Sequence, residues 1–169
     1  MISPLPEIAA TCFLTAAVFA AAVTDTRTYR IPNAIVVAIL FTGICWQALS
    51  GGAGAALLAV VAALLCLACF LPLYMIRAMG AGEVKLIAAV GASLGISGAL
   101  VAIAGTLTAG ALMAGLALRV PGLRQRAATV PDTNGEAGES AIQAVRIPYA
   151  AAIAAGTCLA LWQQGRFGF

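Results

Sequence analysis

The sequence predicts an all-α polytopic membrane protein, a bundle of six transmembrane helices forming a single domain over residues 1–169, and three observations carry that prediction. Of 169 residues, 63% are hydrophobic and 9% charged, against about 45–50% and about 25% in an ordinary soluble domain. Apolar segments close to the length of a bilayer crossing recur along the chain. Basic residues gather in alternate loops between those segments. Nine basic and six acidic side chains cannot cover a water-soluble fold of this size, which excludes a cytosolic enzyme or a nucleic-acid binder. An outer-membrane barrel is excluded as well, since its strands would alternate apolar and polar residues and this chain does not.

The expected spans, in order, are Leu5–Val23, Ala34–Leu49, Ala53–Ile76, Val84–Gly95, Ala99–Leu118 and Ile147–Trp162. No Lys or Arg occurs in the first 26 residues, so the first segment lacks the basic flank of a cleaved signal and is expected to be retained. Asp25 to Asn33 is a polar break, Ser50-Gly51-Gly52 a tight turn, and Gly95-Ile96-Ser97-Gly98 divides an otherwise continuous apolar run. Pro72 should bend or end the third span. Residues 121–143 are expected to form a flexible cytoplasmic loop whose acids, Asp132, Glu136 and Glu139, are solvated. The sixth span opens with Arg146-Ile147-Pro148-Tyr149, much as the second opens with Arg30-Ile31-Pro32-Asn33, and Pro in a first helical turn suits both.

Eight of the nine basic residues fall in the first, third and fifth loops. Those loops are therefore cytoplasmic, and both termini lie outside. The five cysteines, Cys12, Cys45, Cys66, Cys69 and Cys158, all sit in apolar stretches and read as small packing residues. Cys66 and Cys69 have no His or second Cys pair with which to complete a zinc site, so no metal and no cofactor is expected.

Two acids need an explanation. Asp25 directly follows the first span and Glu83 opens the fourth after Gly80-Ala81-Gly82, both on the cytoplasmic side. The fourth span has 12 residues, about 18 Å of helix against a hydrocarbon core of about 30 Å. Glu83 should thus lie below the membrane surface, where an ionisable group is costly and is a functional candidate. Interfacial ion pairs, Asp25 with Arg27 or Arg30 and Glu83 with Lys85, would explain each acid singly. Taken together, two carboxyls at one end of a small bundle suggest a paired-acid site. Because neighbouring carboxyls do not both ionise cheaply, one holds a proton while the other can take one from water. The chain contains no His, so no Ser/His or Cys/His scheme competes.

Asp25-Thr26-Arg27-Thr28-Tyr29-Arg30-Ile31-Pro32-Asn33 resembles the first acidic motif of the type IV prepilin peptidases, membrane aspartyl proteases of the GxGD type, and Gly80-Ala81-Gly82-Glu83-Val84-Lys85-Leu86 resembles the second. There the family normally has Gly-x-Gly-Asp, so Glu83 stands in place of the second Asp. Arg146 through Gly156 is similar to the family's last span. The short all-membrane form most resembles the peptidases of tight-adherence and Flp pilus systems.

The resemblance implies Asp25 and Glu83 as catalytic acids and Gly80, Gly82, Lys85 and Asn33 as the substrate-binding set. It further implies prepilin or pseudopilin precursors as substrates, cut at the cytoplasmic face of a bacterial inner membrane, with membrane lipid and pilus assembly proteins as partners and no nucleic acid. Longer members carry a cytoplasmic domain with paired Cys motifs and also methylate the product; nothing here resembles that domain, so peptidase activity without methylation is expected. Glu83 leaves alternatives open: a site that accommodates Glu, an inactive or engineered variant that binds pilin-like helices without cleavage, or a small proton-coupled transporter. On geometry alone, Glu83→Asp is expected to restore the usual carboxyl separation and raise activity.

Overall fold

The computed structural model describes residues 4–28, 31–76, 78–119 and 149–165. They form four helices: α1 (Pro4–Thr28), α2 (Asn33–Met75), α3 (Ala81–Arg119) and α4 (Tyr149–Gln163). Among the described residues, three helical stretches are long and apolar enough to cross a membrane: Glu7–Arg27, Asn33–Met75 and Ala81–Leu116. The expected count of six helices is thereby corrected to four. The reason is local. At Ser50-Gly51-Gly52 and at Gly95 the chain turns on one residue, and helical hydrogen bonding resumes at once instead of giving way to a loop.

Gly52 has φ 72° and ψ −166°, and Gly95 has φ 71° and ψ −178°. This backbone region is essentially closed to residues with a Cβ. A helix of 43 residues would be about 65 Å long if straight, roughly twice the hydrocarbon core. It is not straight. The Ser93 hydroxyl donates to the Ile39 carbonyl at 3.3 Å, while a Cβ at Gly91 would meet Cys66 Sγ at 2.5 Å and the Ala62 carbonyl at 3.0 Å. Gly91 and Ser93 are about 3 Å apart along α3, whereas Ile39 and Ala62 would be about 35 Å apart on a straight helix. Only a reversal between them, at Gly52, brings both to one level.

The same reasoning folds α3. Glu83 and Gly110 would be about 40 Å apart on a straight helix, yet the Tyr149 N–H donates to Glu83 and a Cβ at Gly110 would lie 2.6 Å from the Tyr149 ring. The reversal falls at Gly95, so α3 consists of a first arm ending there and a second arm that returns beside it. The α4 helix runs antiparallel to that second arm. A Cβ at Gly105 would come within 2.8 Å of Gly156 Cα, and one at Gly156 within 2.6 Å of the Ala102 carbonyl and 2.7 Å of the Thr106 amide. The two backbones therefore touch, the close approach that small residues permit between membrane helices.

The first arm of α3 is the axis of the molecule. Leu86, Ile87, Val90 and Leu94 are buried on it, against Ile39 and Phe70 of α2 and Ile153 and Leu161 of α4. Phe41, Leu49, Leu57, Leu112 and Trp162 are exposed, as expected of a surface that lipid covers. Pro72 lies inside α2, one turn before its end at Met75, and the Ile76 amide donates to the Pro72 carbonyl.

A second correction concerns Asp25. It does not follow the first helix but sits in its last turn, since α1 continues to Thr28. The polar residues there remain helical because their hydroxyls bond backward to the helix: Thr24 to the Ala20 and Ala21 carbonyls and Thr26 to that of Val23, each at 2.9 Å. The expected loop over residues 121–143 lies outside the described residues, as do Arg30, Arg77, Arg124, Arg126, Arg146 and Arg166.

Candidate active site

Four chain segments meet at the end of the bundle away from Gly95. The Gly80 carbonyl receives the amides of Glu83 at 3.1 Å and Val84 at 3.2 Å, which starts α3. Glu83, in the first turn, reaches back so that its Oε2 accepts the Gly80 N–H at 2.7 Å. This is the returning half of a capping box, in which a third-position Glu satisfies an amide left over at the helix start. Its other oxygen, Oε1, accepts the Tyr149 N–H at 2.8 Å from the first residue of α4. One carboxylate thus satisfies orphan donors at two helix starts.

Asp25 approaches from the last turn of α1. Its carboxyl lies beside the Glu83 carboxyl and near the backbone N–H of Ala150. Asp25 is 6% exposed and Glu83 7%, so the pair is screened from bulk solvent while lying at the end of the bundle. Asp25 Oδ2 is buried and has no hydrogen-bond partner among the described residues. No third His, Cys, Asp or Glu joins the pair among the described residues to make a metal-binding group.

The ion pairs that would explain each acid singly are not formed among the described residues. Glu83 is bonded to amides, and Arg27 and Lys85 project outward, exposed. Asp25 and Glu83, the two acids singled out in the sequence, are brought side by side. The other predicted residues divide. Gly80 is exposed and supplies the amide to Glu83, where a Cβ would make only ordinary contact at 3.4 Å. Gly82 packs on the chain leading into α2, and a Cβ there would stand 3.2 Å from Ile31 Cβ. That close approach holds the start of α3 against the start of α2. Lys85 and Asn33 are exposed at the same end.

Sequence reasoning did not find the contribution of Tyr149 and Ala150. Backbone amides have no side-chain signature, and the available signal was indirect: a Pro at 148 marks a helix start, and a helix start leaves amides unpaired.

The sequence matches the profile of the type IV leader peptidase family over residues 12–115, a stretch that contains Asp25, all of α2 and the Gly80–Glu83 turn. No curated protein and no solved structure matches the chain.

Proposed function

The chain belongs to the type IV leader peptidase family, and from that premise we propose that it is an aspartyl endopeptidase that removes the leader of type IV or Flp prepilins at the cytoplasmic membrane face, with Asp25 and Glu83 as the reacting pair. The observation that carries this reading is the buried contact between the two carboxyls. Between them they hold one proton. The ionised carboxyl takes a proton from a water whose oxygen bonds to the scissile carbonyl carbon, and the shared proton passes to the carbonyl oxygen. The tetrahedral intermediate then collapses: the C–N bond breaks, the amine leaves with a proton, and the pair again holds one.

The reading places the acid end of the bundle at the cytoplasmic face. Arg27, Lys85 and Arg119, at that end, support the orientation. A precursor with a basic leader and an apolar helix suits such a site, since the helix inserts in the bilayer while the leader stays at the surface. The exposed Arg27 and Lys85 repel a basic leader, so its attraction comes from anionic lipid headgroups. Incubation of the purified chain, in vesicles containing anionic lipid, with precursors of this design and mass spectrometry of the products tests the reading. Cleavage just before the apolar helix supports it.

The double commitment of Glu83 to backbone amides favours one second reading, a protein that binds pilin-like helices without cutting them. Stable co-purification with uncut precursor would put that reading ahead.

A further inference from the structure

We propose that the first turn of α4 is part of the active centre: the amide of Tyr149 holds the Glu83 carboxyl, so that Glu83 positions the pair and the unpartnered Asp25 oxygen is the one that engages the substrate water. This rests on the peptidase reading and adds to it a third element and an unequal pair.

The asymmetry lies in the hydrogen bonds. Glu83 has both oxygens engaged, Oε2 on the Gly80 amide at 2.7 Å and Oε1 on the Tyr149 amide at 2.8 Å. Asp25 lies beside Glu83 and near the Ala150 amide, and its Oδ2 is buried with no partner among the described residues. A buried carboxyl oxygen with no donor serves no structural purpose and is costly to keep. Among the described residues it has no donor, which makes it a candidate to engage a substrate water. The amides of α4 are equally specific. They are first-turn donors with no acceptor within their own helix, and they bring the positive end of that helix to a site where negative charge must be held.

The length of residue 83 follows from the same arrangement. From the first turn of α3, a side chain must reach both its own helix start and that of α4. Asp, shorter by one bond of about 1.5 Å, cannot keep both amide contacts without moving α4, and α4 is pinned by the backbone contact of Gly105 with Gly156. Glu at this position is therefore fitted to its surroundings, which reverses the expectation that Glu83→Asp raises activity.

The test removes one N–H. Tyr149→Pro deletes the donor at a first-turn position that accommodates proline, and Tyr149→Ala removes the ring but keeps the donor. The α-hydroxy analogue of tyrosine at 149 keeps the ring and replaces N–H by oxygen, so the comparison survives if the proline variant does not fold. With a synthetic precursor of basic leader and apolar helix, the two variants lacking the N–H should fall about 10-fold to 100-fold below Tyr149→Ala in kcat at unchanged KM. Equal kcat in the Ala and hydroxy-acid forms overturns the proposal.

A second readout needs no activity. In protein labelled with ¹³C-glutamate, the infrared carboxyl band lost in Glu83→Gln belongs to Glu83. It should shift in the two variants lacking the N–H and stay in place in Tyr149→Ala. An unmoved band overturns the inference whether or not the wild-type chain cuts. A moved band in a chain that cuts no precursor leaves the amide contact standing and refutes the peptidase reading instead.

Discussion

At one end of the first arm of α3, Glu83 accepts the N–H groups of Gly80 and Tyr149; at the other, beside Gly95, the Gln164 side-chain amide donates to the Leu94 carbonyl at 3.1 Å. Both ends face the same difficulty, backbone groups that a helix leaves unpaired in surroundings poor in water. The polarity is opposite. Where a carbonyl is orphaned, a neutral amide suffices. Where two N–H groups are orphaned, two acceptor oxygens are needed, and a carboxylate supplies both. Burial and hydrogen bonding of Glu83 are therefore explained by structure alone, and they do not single out a catalyst. Asp25 differs: its carboxyl oxygen Oδ2 is buried with no partner among the described residues.

The sharpest way to break this comparison is Asp25→Asn. The amide keeps the shape and an acceptor for Ala150 but removes the ionisable group, so cleavage should fall by about 10³-fold or more while circular dichroism and detergent stability stay unchanged. Full activity in that variant, measured on a precursor the wild-type chain cuts, removes the paired-acid mechanism. Next in size is Glu83→Asp. With one amide contact forfeited and the carboxyl displaced by about 1 Å, kcat should drop by about 10-fold to 100-fold. A rise instead shows that the α4 amides are dispensable and that the carboxyl separation alone matters.

The Gly95 end should answer differently, in stability and not in rate. Gly95→Ala places a Cβ on a backbone with φ 71° and only 3.0 Å from Gln47 Nε2. A destabilisation of about 1–3 kcal/mol, read as a lower midpoint in thermal unfolding in detergent, should leave kcat close to wild type. Gln164→Ala is the mildest, with a loss of about 1 kcal/mol for the Leu94 carbonyl and no effect on cleavage. A large kcat effect from either variant would show that the two ends are coupled and not independent.

Much of this was legible before any coordinates. The breaks at Gly52 and Gly95 fall where Ser50-Gly51-Gly52 and Gly95-Ile96-Ser97-Gly98 interrupt apolar runs, because a one-residue reversal at positive φ favours a residue without Cβ. The helix count was not legible for the same reason: a one-residue turn leaves no polar loop to separate one helix from the next. By composition Thr24, Thr26 and Thr28 resemble a loop, which puts Asp25 past the end of α1 in the sequence pattern. The backward hydroxyl bonds of Thr24 and Thr26 show how such residues stay helical. The two acids stood out through their rarity. The partners of Glu83 did not, since they are main-chain atoms 66 positions away in the case of Tyr149, and no pattern of side chains encodes an amide.

The backbone contact between Gly105 and Gly156 sets the longitudinal register of α4. A slip of one residue would carry the Tyr149 amide about 1.5 Å along the axis, away from Glu83, and drive Cβ atoms into a space that admits none. The glycine pair therefore works as a detent, fixing at one point of the bundle an alignment used about 10 Å further along it. The alignment around Glu83 is thus set by two residues that carry no functional group at all.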